Sequence, residues 1–295
     1  MPDLRRLAIG LAVAAPFLLG AAAGADDTDR SRAAFRFTDP EVVESSGLVV
    51  LPAGRGSLAV TTNDSGDSGR VFAVDPASGE TVGVTSWDRD PTDVEALAPA
   101  GPGHVWVADI GDNRRARDHV EVLRVPVGTG DVVAQPVAHR LVYPDGAQDA
   151  EALVRHPLSG RLFVISKGVF SGAVHALPRH LRADRAHRLT AVADAPGLVT
   201  DAVFLPGGGG VVARTYTHAH LMAYPSWQVV ASWPLPLQDQ GEGISIDGRE
   251  LLLSTEGAGS EVLAVPLPPV ADAVELQGPV WAGLRLLATA YALPL

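Results

Sequence analysis

The chain has 295 residues, 46% of them hydrophobic, a formal net charge of −11 and no cysteine. That apolar content fills one large domain or two small ones, and the acidic balance excludes nucleic acid as a partner, because phosphates call for Lys and Arg. Without cysteine no disulfide can staple the fold, so stability must come from burial, helped by a metal if one is bound.

The N-terminus reads as an export signal. Arg5 and Arg6 form a positive segment, Leu7 to Leu19 an apolar core too short for a membrane span, and Ala23-Gly24-Ala25 a small-residue cleavage site. The Arg pair leaves both the general and the twin-arginine routes open. Cleavage after residue 25 removes Asp3, Arg5 and Arg6 and leaves a mature chain of net charge −12. The expected product is extracytoplasmic, monomeric and without a transmembrane span. Residues 26–32 are a polar leader.

The 31 glycines and 23 prolines mark frequent turns, and between them short alternating stretches predict an all-β domain. One motif recurs. Thr92-Asp93-Val94-Glu95-Ala96-Leu97 returns as Gln148-Asp149-Ala150-Glu151-Ala152-Leu153. Weaker copies are Val43-Glu44-Ser45-Ser46-Gly47-Leu48, Thr200-Asp201-Ala202-Val203 and Gly241-Glu242-Gly243-Ile244. Each opens a segment of about 40 to 55 residues, the period of propeller blades.

In chain order, Ala33–Thr38 is a strand, and four strands per repeat follow. The first repeat has Gly47–Leu51, Ser57–Thr62, Arg70–Val74 and Thr81–Trp87. The second has Val94–Ala98, His104–Asp109, His119–Val125 and Val137–Val142. The third has Ala150–Arg155, Arg161–Ser166, Ala173–Leu177 and Arg188–Ala193. The fourth has Ala202–Leu205, Val211–Thr215, His220–Tyr224 and Gln228–Trp233. The fifth has Gly243–Ile246, Glu250–Ser254 and Glu261–Val265, and lacks a fourth strand. Ala33–Thr38 is placed to supply it, closing a five-bladed ring with no exposed sheet edge. A sixth blade would have to come from residues 266–295, which carry too little strand sequence. The expected propeller spans residues 33–270, and the tail 271–295 is left unassigned, with a short amphipathic helix or an anchor remnant as its readings.

In a propeller the innermost strand starts, and the second strand ends, on the same face. The opposite face carries plain turns such as Pro99-Ala100-Gly101 and Asp247-Gly248. The first face carries the chemistry, including the only two asparagines, Asn63 and Asn113, and the only lysine, Lys167. Aligning the inner strands on their apolar residues puts Ser46, Glu95, Glu151, Asp201 and Glu242 in one column. Glu44, Asp93, Asp149, Val199 and Gln240 stand two residues earlier, on the same side of each strand. So many carboxylates at one opening require protons or a cation. The candidate ligands are Glu44, Asp93, Glu95, Asp149, Glu151, Asp201 and Glu242, joined by Asn63, Asp64 and Asp109 from the second strands. Oxygen donors without cysteine favour Ca2+ over Mg2+ or Mn2+. Glu95 or Glu151 is the candidate base, with Lys167 and Arg214 balancing charge or holding a small anionic substrate. The plainer alternative is that repeated acids at strand starts accept backbone N–H groups of the next blade and only hold blades together. His218 and His220, on one side of a strand, read as a base, ligands or ordinary surface histidines. The loop Asp64 to Gly69 lacks full calcium-loop spacing, and no serine-hydrolase elbow or zinc-protease motif is present.

The motifs Glu44-Ser45-Ser46-Gly47-Leu48, Asn63-Asp64-Ser65-Gly66, Asp93-Val94-Glu95-Ala96-Leu97, Asp109-Ile110-Gly111-Asp112-Asn113 and Asp149-Ala150-Glu151-Ala152-Leu153 resemble those of exported bacterial β-propellers. These are the WD40-like proteins similar to the domain called "esterase-like activity of phytase". The resemblance covers about residues 40–265. It implies a propeller with an acidic channel mouth and, less specifically, a metal-dependent phosphoester or ester hydrolase. A non-catalytic propeller binding an extracellular ligand or protein, with a structural Ca2+, is the alternative, and a lactonase-like propeller a third. A WD dipeptide occurs once, at Trp87-Asp88, so the recurrent WD dipeptides of true WD40 repeats are missing.

Overall fold

The computed structural model describes residues 31–54, 56–64 and 66–275. The expected export signal, residues 1–25, and the segment from residue 276 onward lie outside the described residues. No helix among those described is long and apolar enough to cross a membrane.

The chain begins with β1 (Arg32–Arg36). The first blade is β2 (Ser45–Ala53), β3 (Gly56–Asn63), β4 (Arg70–Val74) and β5 (Thr81–Ser86). The second has β6 (Val94–Pro99), β7 (His104–Asp109) and β8 (Val120–Pro126), then the two-residue β9 (Val132–Val133), then β10 (Ala138–Val142). The third has β11 (Ala150–Arg155), β12 (Leu162–Ser166), β13 (Ser171–Ala176), the two-residue β14 (His187–Arg188) and β15 (Thr190–Pro196). The fourth is β16 (Val199–Phe204), β17 (Gly210–Thr215), β18 (His218–Ala223) and β19 (Gln228–Pro234). The fifth holds β20 (Gly241–Asp247), β21 (Glu250–Thr255) and β22 (Glu261–Pro266). These strands form five sheets, and within each blade successive strands pair antiparallel.

The fifth sheet is completed by the N-terminal strand, as the missing fourth strand predicts. β1 pairs antiparallel with β22, Arg32 opposite Ala264 and Arg36 opposite Glu261. Inner strands β2, β6, β11, β16 and β20 neighbour one another in that order, and β20 returns to β2. The result is a closed five-bladed propeller.

The core repeats with the same symmetry. Each of five apolar clusters sits between two adjacent blades. One joins blades one and two around Val60, Val94 and Val107, and another blades two and three around Ala108, Ile110 and Leu153. The cluster that joins blades five and one contains Phe35, Phe37, Leu48, Phe72 and Leu252. Ring closure is therefore an apolar interface like the others, worth about 1.5–3 kcal/mol per large side chain buried. Helical residues 269–275 cover blades four and five, with Ala271 and Val274 in their shared cluster.

The strands β9 and β14 do not stand out in the sequence. Each leaves the third-to-fourth connection of its own blade and pairs parallel with the outermost strand of the preceding blade, β9 with β5 and β14 with β10. They cover two sheet edges that would otherwise offer unpaired backbone groups.

Candidate metal centre

Every inner strand is irregular at the same point. In β6 the ladder steps from Val94–Asp109 to Ala96–Ala108, leaving Glu95 unpaired. In β11 it steps past Glu151, in β2 past Ser46, and in β20 past Glu242 and Gly243. A bulge re-aims the side chain it carries, and here it does so where each strand leaves the mouth. In β16 the step passes Thr200, between Val199–Thr215 and Asp201–Arg214. The fourth blade thus differs by one residue from the sequence alignment: Thr200 holds the position that Asp201 was expected to hold.

The re-aimed acids converge. Glu95 of blade two is pushed up to about 11 by burial, then by the charges of Glu151, Asp64 and Asp93. Glu242 of blade five is pushed up to about 8 by burial and by Glu151 of blade three, against the pull of Lys167. Glu151 is raised by burial, with Lys167 opposing and Asp149 and Asp64 reinforcing. Carboxyls of three blades therefore feel one another's charge across one opening. Asp64, Asp93 and Glu95 come together most tightly, each presenting an oxygen within 4.8 Å of the others'. Asp93 is raised to about 7 by burial and by Asp64, with which it shares a hydrogen bond. Gly111 makes this approach possible. A Cβ there would stand 2.4 Å from Asp93 Oδ2 and 2.6 Å from Glu95 Oε1.

Asn63 and Asp109 occupy matching places at the ends of β3 and β7. Asn63 Oδ1 accepts the backbone N–H groups of Val43 and Glu44 at 3.0 and 3.1 Å. Asp109 accepts those of Thr92 and Asp93, both at 3.0 Å, and meets Arg117 at 2.8 Å. Both thus hold the segment that delivers the next acid. Asp149 Oδ1 accepts the Asp112 N–H at 2.9 Å, and Asp112 in turn caps the amides of Ala116 and Arg117. Glu44 is half-buried at the rim and its charge, with that of Asp64, raises Glu256 beyond the effect of burial.

Lys167 faces the acids. Its Nζ lies 2.8 Å from Glu151 Oε1 and 3.2 Å from the Tyr216 hydroxyl. Burial alone would lower its pKa, but Glu151 holds the ammonium charged, well above the usual lysine range.

Arg214 and Asp201 do not meet the opening. Arg214 is 1% exposed, and its terminal nitrogens donate to the carbonyls of Gly243 and Ser254 and to Gln238 Oε1 at 2.6 to 2.7 Å. Asp201 is 0% exposed, and its carboxylate accepts the amides of Ala202 at 2.7 Å and of Ile244, in the next blade, at 2.9 Å. Both tie blade four to blade five. For Asp201 the plainer alternative from the sequence is what the geometry shows.

Tyr216 and Glu256 stand on the same face as the candidate ligands, and residue type alone assigns them no role. The residues that follow the second strands are Asp64, Ile110, Lys167, Tyr216 and Glu256, one per blade. That column is visible in the sequence once the second strands are aligned by their ends. His218 and His220 stack with ring centroids 6.2 Å apart beside Tyr216, and burial, then His218, lowers the pKa of His220.

Taken together, these positions make a half-dry mouth rich in carboxylates with one lysine. No protein-family model and no curated protein matches the chain. Among solved structures, it is similar to a candidate gluconolactonase, with TM-score 0.46, 14% identity, and 80% of this chain and 91% of that one covered. It is similar to Myxococcus xanthus glutaminyl cyclase with TM-score 0.49, 14% identity, and 80% and 97% covered. Its likeness to Kuenenia stuttgartiensis hydrazine synthase has TM-score 0.39, 14% identity, and 73% and 56% covered. These are likenesses of architecture.

Proposed function

We propose that the protein is an exported propeller that holds a divalent cation among Asp64, Asp93 and Glu95 and hydrolyses a phosphoester or an ester beside it. The observation that carries this reading is the approach of three carboxyl groups from two blades to within 4.8 Å. Acids so close in a half-dry site need protons or a cation. The donors are all oxygen, which suits Ca2+ first and Mg2+ or Mn2+ second. The resemblance of the repeated motifs to exported propellers of the "esterase-like activity of phytase" type supports the same chemistry.

When bound, the cation would supply a Lewis acid that polarises the oxygen under attack and makes water more acidic. The chain's own groups do the rest. Lys167, kept charged by Glu151 and steadied by Tyr216, receives the anionic oxygen of the substrate. Glu151, with Oε1 on Lys167, takes the proton of the attacking water on its other oxygen. The water oxygen joins phosphorus or the acyl carbon, the bond from that atom to the alcohol oxygen breaks, and the alcohol leaves with the proton that Glu151 received.

A second reading is favoured by one observation. Asp64 belongs to blade one, and Asp93 and Glu95 to blade two, so a cation there also staples two blades. In that case Ca2+ is structural and the face binds an extracellular ligand without turnover. A panel of phosphomonoesters and carboxylic esters, assayed with Ca2+, Mg2+ or Mn2+ and with EDTA, separates the two. Turnover that needs the metal and is lost in Glu151→Gln supports the hydrolase. Metal binding with no turnover of any panel member supports the binding module.

A further inference from the structure

Next to Tyr216, which bonds Lys167, blade four and the turn that leads into it form a cleft of about 320 Å3. Its walls include Leu198, Tyr216, His218 and His220. At one end the Tyr216 hydroxyl meets Lys167, the charged end of the candidate site. Along the rest, Leu198 and the His218 and His220 rings share the wall with Thr215 and Thr217, and the lining is mostly apolar.

Two further features converge on it. Leu198 has φ = +57°, a left-handed backbone that a bulky side chain rarely adopts. It is held there by its N–H bond to the Gly168 carbonyl at 2.8 Å. Strain kept at a cleft wall points to a use for the side chain it places. Next to it, the hairpin that follows Lys167 carries Val169 and Phe170, which are 69% and 95% exposed. Their backbone packs so closely on Gly197 that a Cβ there would lie 2.7 Å from the Val169 carbonyl oxygen. An almost fully exposed phenylalanine at the lip of an apolar cleft is positioned to cover whatever enters.

We propose that this cleft is the subsite for the alcohol portion of the substrate, and that it takes an aromatic group of one or two rings with its anionic end toward Lys167. A cavity of about 150 Å3 accommodates benzene, so the volume suits a naphthyl group better than a methyl group. The rings of Tyr216, His218 and His220 in the lining favour an aromatic partner. The proposal rests on the reading of the mouth as the reacting centre, and it assigns Leu198 and Phe170 as specificity-determining residues.

The test uses the mature protein with Ca2+ and three probes: 1-naphthyl phosphate, methyl phosphate and the neutral 1-naphthol, followed by calorimetry and naphthol fluorescence anisotropy. Two variants remove one lip side chain and one wall side chain without threatening the fold. Phe170→Ser changes an exposed side chain, and Leu198→Gly places at φ = +57° the residue that favours it. The expected result is naphthyl phosphate binding at least tenfold tighter than methyl phosphate. Each variant should lose at least fivefold for naphthyl phosphate and naphthol, and nothing for methyl phosphate. If naphthol binds and responds to the variants while neither phosphate binds, the cleft stands and the reading of the mouth falls. Equal affinity for the two phosphates, or an aromatic advantage that survives both substitutions, overturns the proposal.

Discussion

Replacing Glu95 with glutamine should make the cation-free protein more stable and, at the same time, deaf to the cation. In the unfolded chain this carboxyl ionises near 4.5, and in the folded, metal-free protein it is pushed up to about 11 by burial and its acidic neighbours. A group with a raised folded pKa takes up a proton on folding. Stability is therefore complete below about pH 4.5 and falls as pH rises toward 11. At about pH 7 the proton uptake costs up to about 3 kcal/mol, at about 1.4 kcal/mol per pH unit. Asp93, pushed to about 7, and Glu242, pushed to about 8, add to the loss over the lower part of that range. Glu95→Gln removes one of these contributions, the one that persists to the highest pH. In EDTA at about pH 7 its melting temperature should exceed wild type by up to about 10 °C, since about 1 kcal/mol moves a domain of this size by roughly 2–4 °C. The slope of stability against pH should flatten between pH 5 and 8. Calcium at about 100 times its Kd should add about 2.7 kcal/mol to wild type and nearly nothing to the variant. Thermal scans across pH, with EDTA or Ca2+, read all three effects. A variant that melts below wild type in EDTA and keeps its calcium response would refute the reasoning.

Three other outcomes follow from named contacts. Gly111→Ala drives a methyl group against Asp93 and Glu95, and calcium affinity measured by calorimetry should fall at least tenfold, about 1.4 kcal/mol. Asp201→Ala leaves the amides of Ala202 and Ile244 without their buried acceptor. It should cost about 2–5 kcal/mol in denaturant unfolding with calcium affinity of the folded protein unchanged. Starting the chain at residue 39 removes β1 with Phe35 and Phe37. It should destabilise by more than about 6 kcal/mol and produce association through the bared edge of β22, seen by size-exclusion chromatography.

Architecture was more legible in the sequence than the site was. Strand alternation and the repeated acidic motif place five blades, and the strandless end of the fifth repeat points to Ala33–Thr38 as its partner. These signals are local and survive any burial pattern. The paired strands β9 and β14 escape because two residues carry no period. Side-chain direction is harder to read. Ala202 and Val203 offer an apolar frame that fits Asp201 or Thr200 at the mouth equally well, and only the bulge, a property of the paired strands, decides for Thr200. Arg214 stands one residue before the end of its second strand, where Asn63 and Asp109 stand last in theirs, and its guanidinium runs between blades toward the carbonyls of Gly243 and Ser254. That one-residue offset turns the side chain to the other side of the strand, and it is legible only once the strand ends are known. Lys167 was conspicuous as the only lysine, yet its pairing with Glu151 and Tyr216 depends on two separate blades meeting at the axis.

A cation between blades one and two is the central claim. Crystals of the mature protein grown with Mn2+ and measured for anomalous scattering test this directly. One peak is expected within ordinary coordination distance of Asp64, Asp93 and Glu95, absent from crystals of Glu95→Gln. An empty mouth at millimolar Mn2+ or Ca2+, with those three carboxyls still drawn together, would contradict it.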